Sequence, residues 1–206
     1  MTAETCREVA LAVLAAQRER LRGLGVPGDL VLVGGCSVPG ALTRGDVDLH
    51  LRVPRDPFRL AVDLLREHYP VVHPDIWTTT LATFDVPPSR PSDPSVGIAV
   101  TPCGSEHDLR FTRSWQLLAA DPALLEEYNT AKLAGESDID GPGYEARKSA
   151  VFDRLVELWP RHPAGGLMHH QDGLPTPPGS LRRTSPAPSP PTPGACSRSA
   201  AAPTGG

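Results

Sequence analysis

The chain has 206 residues, a length that supports one domain with its own hydrophobic core. Its net charge is −4, and residues 161–206 hold four Arg against one Asp, so residues 1–160 carry about −7. This acidic balance argues against a broad nucleic-acid-binding surface. No apolar run approaches the roughly 20 residues of a membrane span, so we expect no membrane partner.

The C-terminal segment differs in composition from the rest of the chain. Eleven of the 24 prolines fall in residues 160–206, among runs of Ser, Ala and Gly. Such a segment cannot bury enough apolar surface to offset the entropy lost on ordering. We therefore predict one folded domain over 1–159 and a disordered tail over 160–206.

Four cysteines are widely spaced along the chain: Cys6, Cys36, Cys103 and Cys196. They form no C-x-x-C pair, and their spacing indicates neither a zinc site nor a disulfide framework. The first 25 residues also lack the apolar core of a signal peptide. We therefore expect reduced cysteines and a cytoplasmic location.

Hydrophobic periodicity and turn residues indicate alternating helices and strands. In chain order the pattern predicts a helix over 3–24, strands over 30–33 and 46–53, a helix from 56 to about 69, strands over 77–86 and 96–101, and helices over 106–119, 121–135 and 142–158. Ser37, followed by Val38 and Pro39, is predicted to cap a further short helix. This order is typical of an α+β or α/β fold, with a small mixed sheet packed against helices and a helical C-terminal part.

The stretch most informative about function joins a glycine turn to paired carboxylates. The apolar run 30–33 ends at Gly34 and Gly35, and Asp46 and Asp48 begin the next apolar run. Because side chains alternate along a strand, both carboxylates should point the same way, with Cα atoms roughly 7 Å apart. The glycines allow close backbone approach to a ligand, and the predicted helix start at Ser37 favours an anion.

These features together suit a nucleoside triphosphate with its metal. Two Asp on one face can share a Mg²⁺, which completes its shell with water and phosphate oxygens. The predicted reaction class is phosphoryl or nucleotidyl transfer by metal-assisted positioning. A plainer interpretation stays open, in which Gly34 and Gly35 form an ordinary turn and Asp46 and Asp48 are solvated residues at a strand edge.

The pattern resembles the signature of the nucleotidyltransferase superfamily. That signature has an apolar residue followed by Gly-Gly or Gly-Ser. About ten residues later comes Asp, an apolar residue, and then Asp or Glu. More specifically, residues 34–40, GGCSVPG, and 43–49, TRGDVDL, look like the GrpB family motifs G-S-T-[SA]-V-P-G and K-G-D-[IL]-D-L. Gly35 stands where that family usually has Ser, and Arg44 replaces the usual Lys.

Two C-terminal blocks extend the resemblance over about residues 20–158. They place Lys132 and Lys148, the only lysines of the chain, at the positions of that family's Y-x-x-x-K elements. The resemblance implies that Gly34, Gly35 and Ser37 hold phosphate and that the two lysines complete the anion site.

The resemblance also implies a catalytic role for carboxylates and a nucleotidyltransferase fold. Active superfamily members carry a third carboxylate on a later strand, and Asp85 is the acidic residue on a predicted strand after the motif. The implied catalytic set is Asp46, Asp48 and Asp85, with Mg²⁺ on the first two and an unknown acceptor. The alternative is a non-catalytic module on the same fold that binds a nucleotide or a protein partner.

Overall fold

The computed structural model describes residues 3–133 and 142–158, and within them the side chains of residues 6–133 and 149–158. The predicted tail over 160–206 and the end of the predicted domain lie outside these ranges. The described elements are helices α1 (Ala3–Gly23), α2 (Phe58–His68), α3 (Glu106–Ala120), α4 (Pro122–Leu133) and α5 (Pro142–Leu158), and strands β1 (Asp29–Val33), β2 (Val47–Val53), β3 (Ala82–Val86) and β4 (Val96–Pro102).

The four strands form one mixed sheet in the order β1-β2-β4-β3. Strand β2 pairs antiparallel with β1 and parallel with β4, and β3 pairs antiparallel with β4. Because β2 and β4 are parallel, the chain must cross over between them, and α2 and β3 lie in that crossover. The expected α+β class with a small mixed sheet is confirmed.

The sheet presents two chemically different faces. Alternate residues of β2 face a large core shared with α1 and α2, as shown by the burial of Val47, Leu49, Leu51 and Val53. The residues between them, Asp48, His50 and Arg52, therefore share the opposite face. This second face is polar and lies on the side of the C-terminal helices.

A second hydrophobic cluster holds α3, α4 and α5 together. It contains buried side chains from the three helices and from the segment that follows the glycine turn: Val38, Ala41, Leu117, Leu118, Leu124, Tyr128, Phe152 and Leu155. Trp115 packs edge-on against Tyr128 and Phe152, with ring centroids 5.7 and 5.2 Å away. The glycine-turn segment is thus anchored in the helical part of the fold.

Two predicted elements differ from the structure. Residues 35–37 form a single 3₁₀ turn and no helix begins at Ser37, because its hydroxyl donates to Gly34 O at 2.7 Å and Gly40 then turns the chain at φ 79°. Strand β3 begins at Ala82 rather than at residue 77. The residues before it form a tight turn closed by a hydrogen bond from Thr78 N to Leu81 O.

A buried ion pair attaches α3 to the polar face of the sheet. The Asp108 carboxylate is fully buried and accepts from Arg52 Nε at 2.6 Å, Arg52 Nη2 at 2.9 Å and Gly104 N at 2.7 Å. Burial alone raises the pKa of Asp108, but the hydrogen bonds from Arg52 and Gly104 outweigh it and leave that pKa below its usual value. Asp108 is therefore charged at neutral pH.

His50 lies beside this pair and is fully buried. Burial lowers the pKa of His50 to about 4, although the negative charge of Asp108 acts to raise it. The ring is therefore neutral at pH 7. Its Nε2 lies 2.7 Å from Thr101 Oγ1, and its ring packs against Phe111 of α3 at 5.2 Å. The contact between β2 and α3 thus combines a charged pair with a neutral imidazole.

Among the described helices, none is long and apolar enough to cross a membrane.

Replacing Asp108 with Ala should lower the free energy of unfolding by about 3 kcal/mol, because the partly buried Arg52 and the Gly104 N–H lose their acceptor. Urea unfolding measures this. The control is Asp153→Ala, which removes the exposed partner of Arg110 and should cost less than about 1 kcal/mol. Equal losses in the two variants would show that Asp108 does not anchor α3.

Candidate functional site

The glycine turn lies against one of the predicted metal ligands. Gly34 directly follows β1 and has a φ of 75°, a conformation that suits glycine. A Cβ at Gly34 would overlap the Asp48 carboxylate, and a Cβ at Gly35 would lie 3.0 Å from both Leu42 O and Thr43 Cβ. Gly34 is therefore needed for the turn to approach Asp48, and Gly35 packs closely against residues 42 and 43.

Helix α1 also contacts the residues that follow the two glycines. Arg7 Nη1 donates to Ser37 O at 3.0 Å, and Cys6 is joined to Cys36 by a disulfide whose Cα atoms lie 6.1 Å apart. Cys103 is disulfide-bonded as well. The expectation of reduced cysteines is thus wrong at these positions, because contact between Cys6 and Cys36 depends on tertiary packing that spacing does not reveal.

The predicted carboxylates open into one cleft. Asp46 comes just before β2 and Asp48 lies within it, and both are exposed and line the cleft. The turn before β2 positions the first carboxylate, since Thr43 Oγ1 lies 3.5 Å from Asp46 Oδ1 and accepts from Gly45 N at 3.1 Å. Both carboxylates therefore face this cleft at the start of β2.

The strand register aligns Asp85 with Asp48. In the β2–β4 pair Asp48 lies opposite Gly97, and in the β4–β3 pair Gly97 lies opposite Asp85. Registered residues point to the same face, so the two Asp flank a glycine with Cα atoms about 10 Å apart, two strand spacings. A Cβ at Gly97 would meet nothing within 4 Å, so the space between the carboxylates is open.

The donor chemistry fits one magnesium ion better than a preformed pair. Asp46 and Asp48 supply hard oxygen ligands beside the turn, and Mg²⁺ bound by one or two carboxylates retains water and phosphate as its other ligands. Among the described residues no three His, Cys, Asp or Glu side chains form a group suited to a metal. Asp85 therefore faces the same cleft without completing a three-ligand cluster.

The helical side of the cleft supplies positive charge and aromatic surface. The cleft has a volume of about 520 Å³, a size typical of small-molecule sites. Its lining on this side includes Arg110, Phe111, Trp115, Tyr128 and Lys132, and Arg44 lines it beside the turn. The cleft thus lies between the polar face of the sheet and the C-terminal helices.

Helix α4 contacts the glycine-turn segment through two polar side chains. Asn129 accepts from Leu42 N at 2.8 Å and donates to Gly40 O at 3.0 Å, and Lys132 Nζ donates to Leu42 O at 3.0 Å. Lys132 therefore lines the cleft while bound to the backbone of residue 42. Lys148 lies in α5, and its side chain is outside the described residues.

Ser37 differs in position from the other predicted phosphate ligands. Its hydroxyl donates to Gly34 O within the turn, and it is not among the residues that line the cleft. The sequence did not indicate that Gly97, Thr43 and Asn129 belong to the site. The short spacing from Thr43 to Asp46 could have indicated Thr43. The positions of Gly97 and Asn129 depend on strand order and on the packing of α4.

Comparison with solved structures identifies the fold. The crystal structure of the conserved protein GrpB from Enterococcus faecalis is similar, with 15% identity, a TM-score of 0.57, and coverage of 73% of this chain and 94% of that one. The Cid1 poly(U) polymerase with Mg 3'-dATP bound matches with 13% identity and a TM-score of 0.36, over 70% of this chain and 52% of that one. The fold assignment rests on GrpB alone. No protein-family model and no curated protein matches the chain.

The disulfide should stabilise the fold measurably. Replacing both Cys6 and Cys36 with Ala should lower the free energy of unfolding by about 3 kcal/mol, because a closed loop of this length restricts the unfolded chain. Urea unfolding of the oxidised protein and of the double variant measures the difference. A peptide map of the unreduced protein serves as control, and free thiols at both positions would contradict the bond.

Proposed function

We propose that this protein binds a nucleoside triphosphate with Mg²⁺ in the cleft and transfers its nucleotidyl group to an acceptor that is still unknown. The observation that carries the proposal is the contact between Gly34 and the Asp48 carboxylate. This contact supports the proposal because it brings a glycine turn, which would bind the phosphates, next to a carboxylate that would hold the metal. The GrpB-like fold and the GrpB-like motifs support membership of that family.

The phosphates would lie along the turn. Gly34 and Gly35 are buried at the wall of the cleft that they line, and Arg44 and Lys132 line the same cleft and add positive charge. Lys132 already donates to Leu42 O, so it would reach a phosphate oxygen from a position that α4 fixes. Ser37 would support the turn through Gly34. Lys148 would act from α5, as the family resemblance implies.

Magnesium would be held by Asp46 and Asp48. When bound, it would neutralise phosphate charge and favour displacement at the α-phosphorus. Asp85 would be the third carboxylate, directed at the same space across Gly97. The aromatic side chains Phe111 and Trp115 on the facing helix would give the base an apolar surface.

A second candidate function is a non-catalytic nucleotide-binding or protein-interaction module. One observation favours it. The described residues contain no group of three His, Cys, Asp or Glu side chains suited to a metal, whereas a catalytic cluster of Asp85 with Asp46 and Asp48 would form one. Such a module would bind Mg²⁺ and a nucleotide through the first two carboxylates and would release no pyrophosphate.

Replacing Asp48 with Asn should weaken Mg²⁺-dependent nucleotide binding about tenfold or more, or about 1.4 kcal/mol, because a metal ligand loses its charge. Calorimetric titration of ATP, CTP, GTP and UTP, with and without Mg²⁺, measures this. The control is Asp63→Asn, which removes the same charge from the exposed face of α2. Binding that ignores Mg²⁺, or an Asp48 variant that binds like the wild type, would refute the proposal.

Substitution of Gly97 should block the cleft without harming the fold. Ala and then Val at this position would fill the open space between Asp48 and Asp85, so Mg·ATP affinity should fall progressively, by about tenfold for Val. The unfolding midpoint should not decrease, because β-branched residues favour strands. An unchanged affinity in a folded Gly97→Val variant would place the ligand elsewhere.

A further inference from the structure

His73 has a backbone conformation that its sequence does not explain. Its φ is 45° and its ψ is 53°, the left-handed region, and it is the only non-glycine residue with positive φ in the described ranges. Residues before proline favour extended conformations, and Pro74 follows directly. A strained residue persists only where its surroundings fix it, and such residues cluster at functional sites.

Several hydrogen bonds fix the peptide groups on both sides of His73. Val72 O accepts from Thr83 Oγ1 at 2.6 Å and from the Trp77 indole at 3.2 Å, while Val72 N donates to Thr83 O at 3.2 Å. On the other side Ile76 N donates to His73 O at 3.1 Å. The Thr83 and Trp77 side chains therefore fix the backbone directly before the exposed His73.

The position of His73 relates it to the candidate site. The segment before it runs along β3, through the bridge of Val71 with Phe84 and the hydrogen bond from Asp85 N to Pro70 O. His73 lines the same cleft as Asp85. Since β3 and β1 are opposite edges of the sheet, His73 lies across the cleft from the glycine turn that ends β1.

We propose that His73 is the general base that activates the acceptor, and that the acceptor is a hydroxyl compound entering at the β3 edge. This inference rests on the proposed nucleotidyl transfer. With the β- and γ-phosphates on Gly34 and Gly35, an in-line attack on the α-phosphorus must come from the opposite side of the cleft, where His73 lies.

In this step one proton is transferred, one bond to the α-phosphorus forms and another breaks. A ring nitrogen of His73 takes the proton of the acceptor hydroxyl as its oxygen bonds to the α-phosphorus. The bond from that phosphorus to the oxygen bridging the α- and β-phosphates breaks, and its electron pair leaves with pyrophosphate. An imidazole suits this role because its unprotonated ring nitrogen can accept a proton from a hydroxyl group.

The test compares His73→Gly with His73→Asn. Both replacements tolerate the left-handed conformation, so both variants should fold, and neither residue can accept the proton. The probe is Mg·ATP with water as the acceptor hydroxyl. Calorimetry measures binding and a coupled assay measures pyrophosphate release, each with and without added imidazole.

We expect both variants to bind Mg·ATP within about twofold of the wild type and to release pyrophosphate about a hundredfold more slowly. Imidazole should restore release at least about tenfold in His73→Gly, where the ring's space is empty, and not in His73→Asn. A purely structural role of His73 would give no such rescue.

Other outcomes separate the two proposals. Unchanged release in the variants, or no rescue of His73→Gly, would overturn the role of His73 and leave the proposed transfer standing. A wild type that binds Mg·ATP without releasing pyrophosphate would overturn the role of His73 and support the binding module. A wild type that does not bind Mg·ATP would overturn the proposed function itself.

Discussion

The cleft depends on the pairing of Arg52 with Asp108. A fully buried carboxylate such as that of Asp108 needs hydrogen-bond donors, and Arg52 on the polar face of the sheet supplies two of them. Because Asp108 lies in the first turn of α3, the pair fixes where that helix crosses β2. The apolar cluster of α3, α4 and α5 then forms the wall opposite Asp48.

The glycine turn is held between this helical wall and α1. Asn129 and Lys132 bind the segment after it at Gly40 and Leu42, while the disulfide from Cys6 fixes Cys36, which directly follows the two glycines. A turn attached on both sides is preorganised, so a bound anion would order little additional backbone. The close contact between Gly34 and Asp48 requires a fixed backbone at the turn, and these attachments to α1 and α4 provide it.

Local patterns predicted the elements, whereas the site required tertiary information. Helix α5 begins and ends where the periodicity placed it, and α2 and β4 differ by one or two residues. The row from Asp48 through Gly97 to Asp85 depends on β4 lying between β2 and β3, which no local signal specifies. The conformation of His73 depends partly on the hydrogen bonds between Val72 and Thr83 of β3, a pairing that the sequence around His73 does not indicate.

In the proposed function, a metal-bound triphosphate would lie between the glycine turn and Asp48. Paramagnetic line broadening tests it most directly, with Mn²⁺ replacing Mg²⁺ in the complex with ATP. We expect the amide signals of Gly34, Gly35, Asp48 and Gly97 to broaden first, while those of the exposed face of α2 stay sharp. Broadening that spares the glycine turn, or that persists unchanged after Asp48→Asn, would contradict the claim.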